Sequence, residues 1–210
     1  MGARIGLGVI VGSLRKQSWS RKLAGALIAR APGGFDCELI EIGDLSLYNA
    51  DMDDRPPAPW TAFRKAVERV DAILFVTPEY NRSIPGCLKN AIDIGSRPEG
   101  ANVFAGIPAA IVSTTPYRMG AFGANHALRQ TFVFLDMPAM QQPEAYIGRI
   151  DTLLDASGQP KSHKTAKFLT GFMAAFDQWI ARVRTRSATA PMVPLRDGSR
   201  PSPEGSREEI

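Results

Sequence analysis

Apolar positions along this chain follow two rhythms that alternate from end to end. Near-continuous apolar runs occur at 4–12 (RIGLGVIVG), 71–77 (DAILFVT) and 106–115 (GIPAAIVSTT), with a partly alternating run at 36–43 (DCELIEIG). Short runs of this kind predict strands, and apolarity on both faces predicts a parallel sheet covered on both sides. Between them, apolar residues recur at helical spacing. Leu23, Ala24 and Leu27 predict a helix over 20–30, stopped by Pro32, Gly33 and Gly34. Trp60, Phe63, Val67 and Val70 predict a second helix, and further helices are expected from Pro85 to about Ile94 and through Leu128 and Phe132. The clearest stripe is Phe168, Leu169, Phe172, Met173, Phe176, Trp179, Ile180 and Val183, which predicts a long final helix. DMPAM and EAYIG, at 136–140 and 144–148, suggest a short, interrupted fifth strand.

Strands alternating with helices predict one α/β domain over 1–186, doubly wound around a five-stranded parallel sheet with right-handed crossovers. From Ser187 the periodicity fails. The stretch SATAPMVPLRDGSRPSPEGSREEI is rich in Pro, Ser and Gly and predicts a flexible tail over 187–210, with PMVPL able to lie on a neighbouring surface. In doubly wound sheets ligands gather beyond the carboxyl ends of the strands. Three loops leave those ends, at 12–19, 77–85 and 114–123.

Composition narrows the function. At 210 residues, 44% apolar and 22% charged, the chain has room for one well-filled core and no run long enough to span a membrane. A net charge of +4 is too small to argue for nucleic acid. Cys37 and Cys87 form neither a CxxC pair nor a disulfide framework, which suits a reducing, cytoplasmic setting. No HExxH or other metal-ligand spacing surrounds His126 or His163, so no metal is expected, and no GxSxG elbow supports hydrolysis. His126 reads as a helix-surface or subunit-contact residue.

The charge is unevenly placed. Residues 11–30 carry Arg15, Lys16, Arg21, Lys22 and Arg30 with no acid among them. Gly12 permits a sharp exit from the first strand. Ser13, Ser18 and Ser20 add hydroxyls, Ser18 or Ser20 as a cap, beside the free amides of a helix start. With the fork of Arg15, this pattern suits a phosphate monoester; it also suits an ordinary capped helix with a solvated basic face. Gly6, Gly8 and Gly12 hint at a dinucleotide fingerprint, but the first two fall inside the strand, and no Walker lysine exists. In the second loop, Pro78 and Pro85 stiffen EYNRSI, so its amides, with Asn81 and Ser83, can meet one edge of a flat ring, or can form a plain turn. Glu79 has three readings: a partner for Arg82, a partner for an arginine of a second subunit, or a solvated acid. Ser113, Thr114, Thr115, Gly120 and Gly123 supply hydroxyls and glycines to the third loop.

Taken together, GSLRKQSWSRKLA (12–24) and TPEYNRSIPGCLKNAID (77–93) resemble the NADPH-dependent FMN reductase family, whose members include quinone, chromate and azo-compound reductases. The resemblance covers 4–183 and implies a flavodoxin-like fold. It implies that Ser13, Arg15, Ser18 and Ser20 hold the FMN phosphate. Pro78, Glu79, Tyr80 and Asn81 would line the isoalloxazine, with Ser113 and Gly120 closing the site. The implied chemistry is hydride transfer from NADPH or NADH to FMN, then electron transfer to a quinone, chromate, azo compound or flavin. The flavin carries it without a protein acid or base. A homodimer or homotetramer is also implied. Three positions depart from the pattern: the third loop reads MGAFGANHALRQ where many relatives have paired glycines, Ser20 stands where several carry Asn, and Gly95 stands where an aromatic is common. A non-catalytic flavin- or nucleotide-binding regulator would use the same phosphate nest and turn.

Overall fold

The computed structural model describes residues 4–189. Twelve elements follow in order: β1 (Ile5–Val11), α1 (Trp19–Ile28), β2 (Phe35–Leu39), a 3₁₀ turn (Ala50–Met52), α2 (Ala58–Glu68), β3 (Ala72–Thr77), α3 (Gly86–Ser96), β4 (Ala109–Thr114), α4 (Phe122–Phe134), β5 (Tyr146–Ile147), α5 (Ile150–Leu153) and α6 (His163–Thr189). The five strands pair in the order β2-β1-β3-β4-β5, all parallel. This order reverses between β1 and β3, which puts a crevice at their carboxyl ends.

Every residue of β3 is buried, because successive side chains enter opposite layers. Leu74 and Val76 join Leu23, Leu27, Phe172 and Phe176 in a core beneath α1 and α6. Ile73 and Phe75 join Trp60, Phe63, Leu88, Leu128 and Phe132 in a second core beneath α2, α3 and α4. Burying each of these large side chains contributes roughly 1.5–3 kcal/mol, so the two layers fix the sheet and leave its loops free to serve a ligand.

Boundaries moved where backbone chemistry overrode apolarity. β2 stops at Leu39, although Ile40 and Ile42 remain buried, because only Ile40 N–H still reaches β1, at Val9 O. α2 starts at Ala58 behind Pro57, with Pro59 tolerated in the first turn, where its missing N–H costs nothing. β4 loses its first residues to Gly106, whose φ of 74° turns the chain. The interrupted fifth strand is present: Ala139 bridges Ala109, and Tyr146 and Ile147 then pair with Ser113 and Thr114. α6 runs to Thr189, past the expected start of the tail. The rest of the expected tail, 190–210, lies outside the described residues.

Gly6 and Gly8 lie within β1, away from any helix-opening turn, so the dinucleotide fingerprint has no structural footing. A Cβ on Gly8 would sit 2.7 Å from Ile40 Cδ1; this glycine serves packing. At Gly95, the space a side chain would take is filled by the ring of Phe104. The aromatic in that space comes from Phe104, a fully buried side chain in the loop after α3.

Candidate functional site

The first loop follows from the end of β1. Gly12 N–H donates to Val76 O at 2.9 Å, and a Cβ on Gly12 would lie only 2.6 Å from Thr77 Oγ1. Glycine is thus what lets the first and second loops approach each other. Beyond it the chain turns, with Ser18 N–H donating to Arg15 O at 3.0 Å, and Ser18 Oγ accepts from Arg21 N at 3.3 Å as the cap of α1.

Ser13, Ser18 and Ser20 are all buried, yet the Ser13 and Ser20 hydroxyls have no protein partner. No wholly enclosed side-chain polar atom lacks a partner among the described residues, so both hydroxyls open toward solvent. The amides of residues 13–17, and of Trp19 and Ser20 in the first helical turn, likewise have no protein acceptor. A nest of unpaired donors at a helix start is suited to an anion. Exposed Arg15 and Lys16 border it, Arg15 bonding only Gln17 O at 3.1 Å.

The rest of the basic cluster is already engaged. Arg21 donates both nitrogens to Glu41, at 2.8 and 2.6 Å, which raises the arginine's pKa and lowers the carboxylate's. Lys22 stands 4.7 Å over the Trp19 ring, and Arg30 donates to Ala26 O. Of the five cations in 11–30, Arg15 and Lys16 therefore remain for a ligand.

In the second loop, Tyr80 and Ser83 exchange backbone hydrogen bonds of 3.1 and 3.0 Å around Asn81 and Arg82, at φ 50° and 63°. This is a two-residue turn of the kind that favours Asn first and Gly second. Arg82 in that second place costs about 1–2 kcal/mol of backbone strain. Two of the loop's donors are consumed by the turn. The amides of Glu79, Asn81 and Arg82 keep no protein acceptor and remain for a ring edge.

Glu79 does not face water. Its carboxylate pairs with Arg82 at 3.1 Å and accepts from Ala124 N at 3.1 Å, in the first turn of α4. The cap position of that helix is Ala121, at φ 59° with no side chain able to cap, so the acid from the second loop takes that part. Arg82 also reaches Met119 Sδ at 3.3 Å.

The third loop is pinned from behind. Gly120 has φ 62°, and a Cβ there would lie 2.5 Å from the carbonyl carbon of Tyr146, so no other residue fits. Ser113 was expected to touch the flavin; instead it is wholly buried. Its hydroxyl donates to Gly120 O at 2.7 Å and accepts from Asn125 at 3.2 Å, so it braces the loop and presents no surface to a ligand. His126 is exposed on α4, 2.9 Å from the Tyr146 hydroxyl. Burial pushes the thiols of Cys87 and Cys37 up, Asp36 adding to the effect at Cys37, which disfavours the reactive thiolate at both. Among the described residues no His, Cys, Asp or Glu cluster could hold a metal ion, and no helix is long and apolar enough to cross a membrane.

Two sequence-predicted groups are thus brought to the carboxyl ends of β1 and β3: Ser13, Arg15, Ser18 and Ser20 around one nest, and Pro78, Glu79, Tyr80 and Asn81 along the adjoining turn. Asn125, which holds Ser113, and Ala124, which holds Glu79, were not anticipated. The Glu79–Ala124 contact spans 45 residues and the Ser113–Asn125 contact 12, and no local spacing records either.

A parallel 2-1-3-4-5 sheet with an anion nest after its first strand defines a flavodoxin-like nucleotide-binding protein. Residues 5–152 match the family model described as NADPH-dependent FMN reductase, and the chain belongs to that family. A quinone reductase of Pseudomonas putida is 55% identical over 173 residues, spanning 82% of this chain and 92% of that protein. A 2-hydroxy-1,4-benzoquinone reductase of Burkholderia is 42% identical, spanning 83% and 95%. The solved structure of FerB, a flavoenzyme NAD(P)H:(acceptor) oxidoreductase of Paracoccus denitrificans, superposes with a TM-score of 0.80 at 42% identity, covering 85% of this chain and 98% of that one. The protein is an FMN-dependent NAD(P)H oxidoreductase.

The donor set fits the cofactor. Partnerless hydroxyls at Ser13 and Ser20, unpaired amides and the Arg15 fork suit a dianionic phosphate. The unpaired amides of the second loop suit the heteroatoms of a flat ring.

Proposed function

We propose that the chain uses FMN to reduce quinones at the expense of NADPH or NADH. The observation that carries this reading is the pair of unpartnered serine hydroxyls, 13 and 20, set in a nest of free amides beside Arg15. Ser13, Arg15, Ser18 and Ser20 hold the phosphate, and residues 78–81 lie along the ring. Held by these residues, FMN would supply the hydride and electron chemistry that links the reduced nicotinamide to the acceptor. The overall exchange balances as NAD(P)H, a proton and a quinone giving NAD(P)⁺ and a hydroquinone, the proton coming from solvent. The chain's own part is to bind, to orient and to present amide donors where negative charge develops on the ring. The names of the P. putida and Burkholderia relatives support quinones as the acceptor class. Chromate, azo compounds and free flavins fall within the same open-ended chemistry.

The candidates for meeting a nicotinamide 2′-phosphate on this reading are Arg82 and Arg118. Arg82 is committed to Glu79 and Met119, so the reading assigns this part to exposed Arg118. Assembly as a homodimer or homotetramer is supported by apolar side chains left exposed at the head and tail of α4. Phe122 and Val133 share one helical face, at 47% and 84% exposure, and Phe134 is 79% exposed. The unpaired thiols Cys37 and Cys87 support a reducing, cytoplasmic setting.

The test is anaerobic stopped-flow spectroscopy of the FMN-loaded protein. Reduced nicotinamide should bleach the flavin band, and a benzoquinone should restore it, with ping-pong kinetics in steady state. Failure to bleach would favour a flavin-binding regulator without turnover, and bleaching without reoxidation by quinone would move the acceptor to another class.

A further inference from the structure

The second and third loops are joined by one side chain. Glu79 is only 12% exposed, although it sits at the end of a surface turn. Its Oε2 accepts the Ala124 amide at the third position of α4, and its Oε1 takes Arg82 Nη1. α4 has no cap of its own, since Ala121 stands in the left-handed region at the cap position. The turn at 80–83, in its turn, keeps an arginine at positive φ, which it would not hold unsupported. Each loop lacks something the other supplies.

Gly123 makes the joint possible. A Cβ there would lie 2.6 Å from Arg82 O and 2.9 Å from Glu79 Oε2. Its φ is not in the left-handed region, so close approach, and not backbone freedom, calls for glycine at this place. The joint is therefore a carboxylate hydrogen bond, an ion pair and a zero-side-chain contact, all between residues 79–82 and the first turn of α4.

We infer that Glu79 is a positioning residue for the flavin ring: by capping α4 from the second loop it holds the amides of Glu79, Asn81 and Arg82 at the ring edge. This rests on the reading that residues 78–81 line the ring. The carboxylate itself faces the helix, so it acts through the backbone it anchors and exchanges no proton with the ring. What the joint needs is an acceptor oxygen at that place, which glutamine also has and alanine lacks.

The inference is tested by FMN titration, the visible spectrum and the reduction potential of the bound flavin, in the parent, Glu79→Ala, Glu79→Gln and Gly123→Ala. Glu79→Ala should weaken FMN binding about tenfold, the size of a lost cap bond, and shift the potential and the vibronic shoulders of the flavin band. Glu79→Gln should restore the parent spectrum and potential. Gly123→Ala should copy Glu79→Ala, because a methyl there forces the turn off the helix while leaving the acid in place. Melting curves and circular dichroism of the apo-proteins identify a variant that has lost its fold, in which case the other two decide. Parent-like affinity and potential in both alanine variants would overturn the proposal. So would Glu79→Gln proving as impaired as Glu79→Ala, since charge and not the bond to Ala124 would then matter. If the parent itself failed to bind FMN, the flavin reading would fall instead, and the two failures are distinct.

Discussion

The first loop and the second loop leave neighbouring strands of one sheet and are built on opposite plans. Residues 12–20 keep most of their donors free: two serine hydroxyls and every amide but those of Gly12 and Ser18 lack a protein acceptor, beside an Arg15 bonded only to Gln17 O. Residues 78–83 use two amides on their own turn and are tied to α4 by the Glu79 carboxylate, which accepts from Ala124 N–H. The comparison shows where this fold places its rigidity. On the proposed reading, the second loop is preformed and braced by protein, whereas the first is completed by its ligand. Donors that meet only solvent in the free protein gain from an anion that accepts from several of them at once.

The sharpest break of that contrast lies in the brace. Gly120→Ala combines a positive φ with a collision against the Tyr146 carbonyl, and should lower the stability of the apo-protein by about 2–4 kcal/mol, read by urea denaturation. A smaller loss would mean that the third loop is not held as tightly as its geometry implies. Next comes the ligand. Saturating FMN at about 100 times its dissociation constant should add about 2.7 kcal/mol of stability, seen as a raised Tm. Hydrogen exchange should slow chiefly in 13–20 and little at the Tyr80 and Ser83 amides, which are protected already. Slowing at Tyr80 and Ser83 equal to that in 13–20 would erase the distinction.

Smaller effects refine it. Arg118→Ala should shift the preference for NADPH over NADH by about tenfold in kcat/KM, the size of one charged hydrogen bond, with NADH turnover unchanged. Arg21, by contrast, belongs to the scaffold of the first loop and not to its ligand. Its pair with Glu41 is 38% and 62% exposed, so screening limits its worth to at most about 0.5 kcal/mol. Arg21 lowers the Glu41 pKa in the folded protein below its ordinary 4.5. A depressed carboxylate pKa contributes stability above the unfolded value and loses it as the pH falls through the folded one. The small difference between parent and Arg21→Ala should therefore be complete at neutral pH and vanish in acid. A difference that persists in strong acid would point to packing.

The architecture was legible because it depends on apolar periodicity, which is local. Ile73, Leu74, Phe75 and Val76 can only be a strand buried on both sides, and Phe172, Phe176 and Ile180 can only be one helical face. The cluster of donors after β1 was legible for a related reason: Gly12, Ser13, Arg15 and Ser18 fall within one turn of chain. What stayed hidden is tertiary. Glu79 had three open readings because its decisive partner is a backbone amide in α4. Glu41 could not be assigned to Arg21 until β2 was laid beside α1. Ser113 looked like a ligand contact because nothing local shows that Gly120 and Asn125 enclose it. Charge in 11–30 overstated the free cations partly for the same reason, since Arg21 pairs with Glu41 twenty residues on, whereas Lys22 and Arg30 turn to Trp19 and Ala26 only three and four residues back.

The claim beneath the whole account is that the nest after β1 recognises a phosphate. Fluorescence titration of the apo-protein with FMN and with riboflavin, which differ only in that group, tests it directly, with Arg15→Ala run alongside. The account predicts that FMN binds the parent at least about a hundredfold more tightly than riboflavin, and that Arg15→Ala narrows the gap by about tenfold or more while leaving riboflavin binding unchanged. Equal affinity of the parent for the two flavins, or a gap untouched by the loss of Arg15, would contradict it.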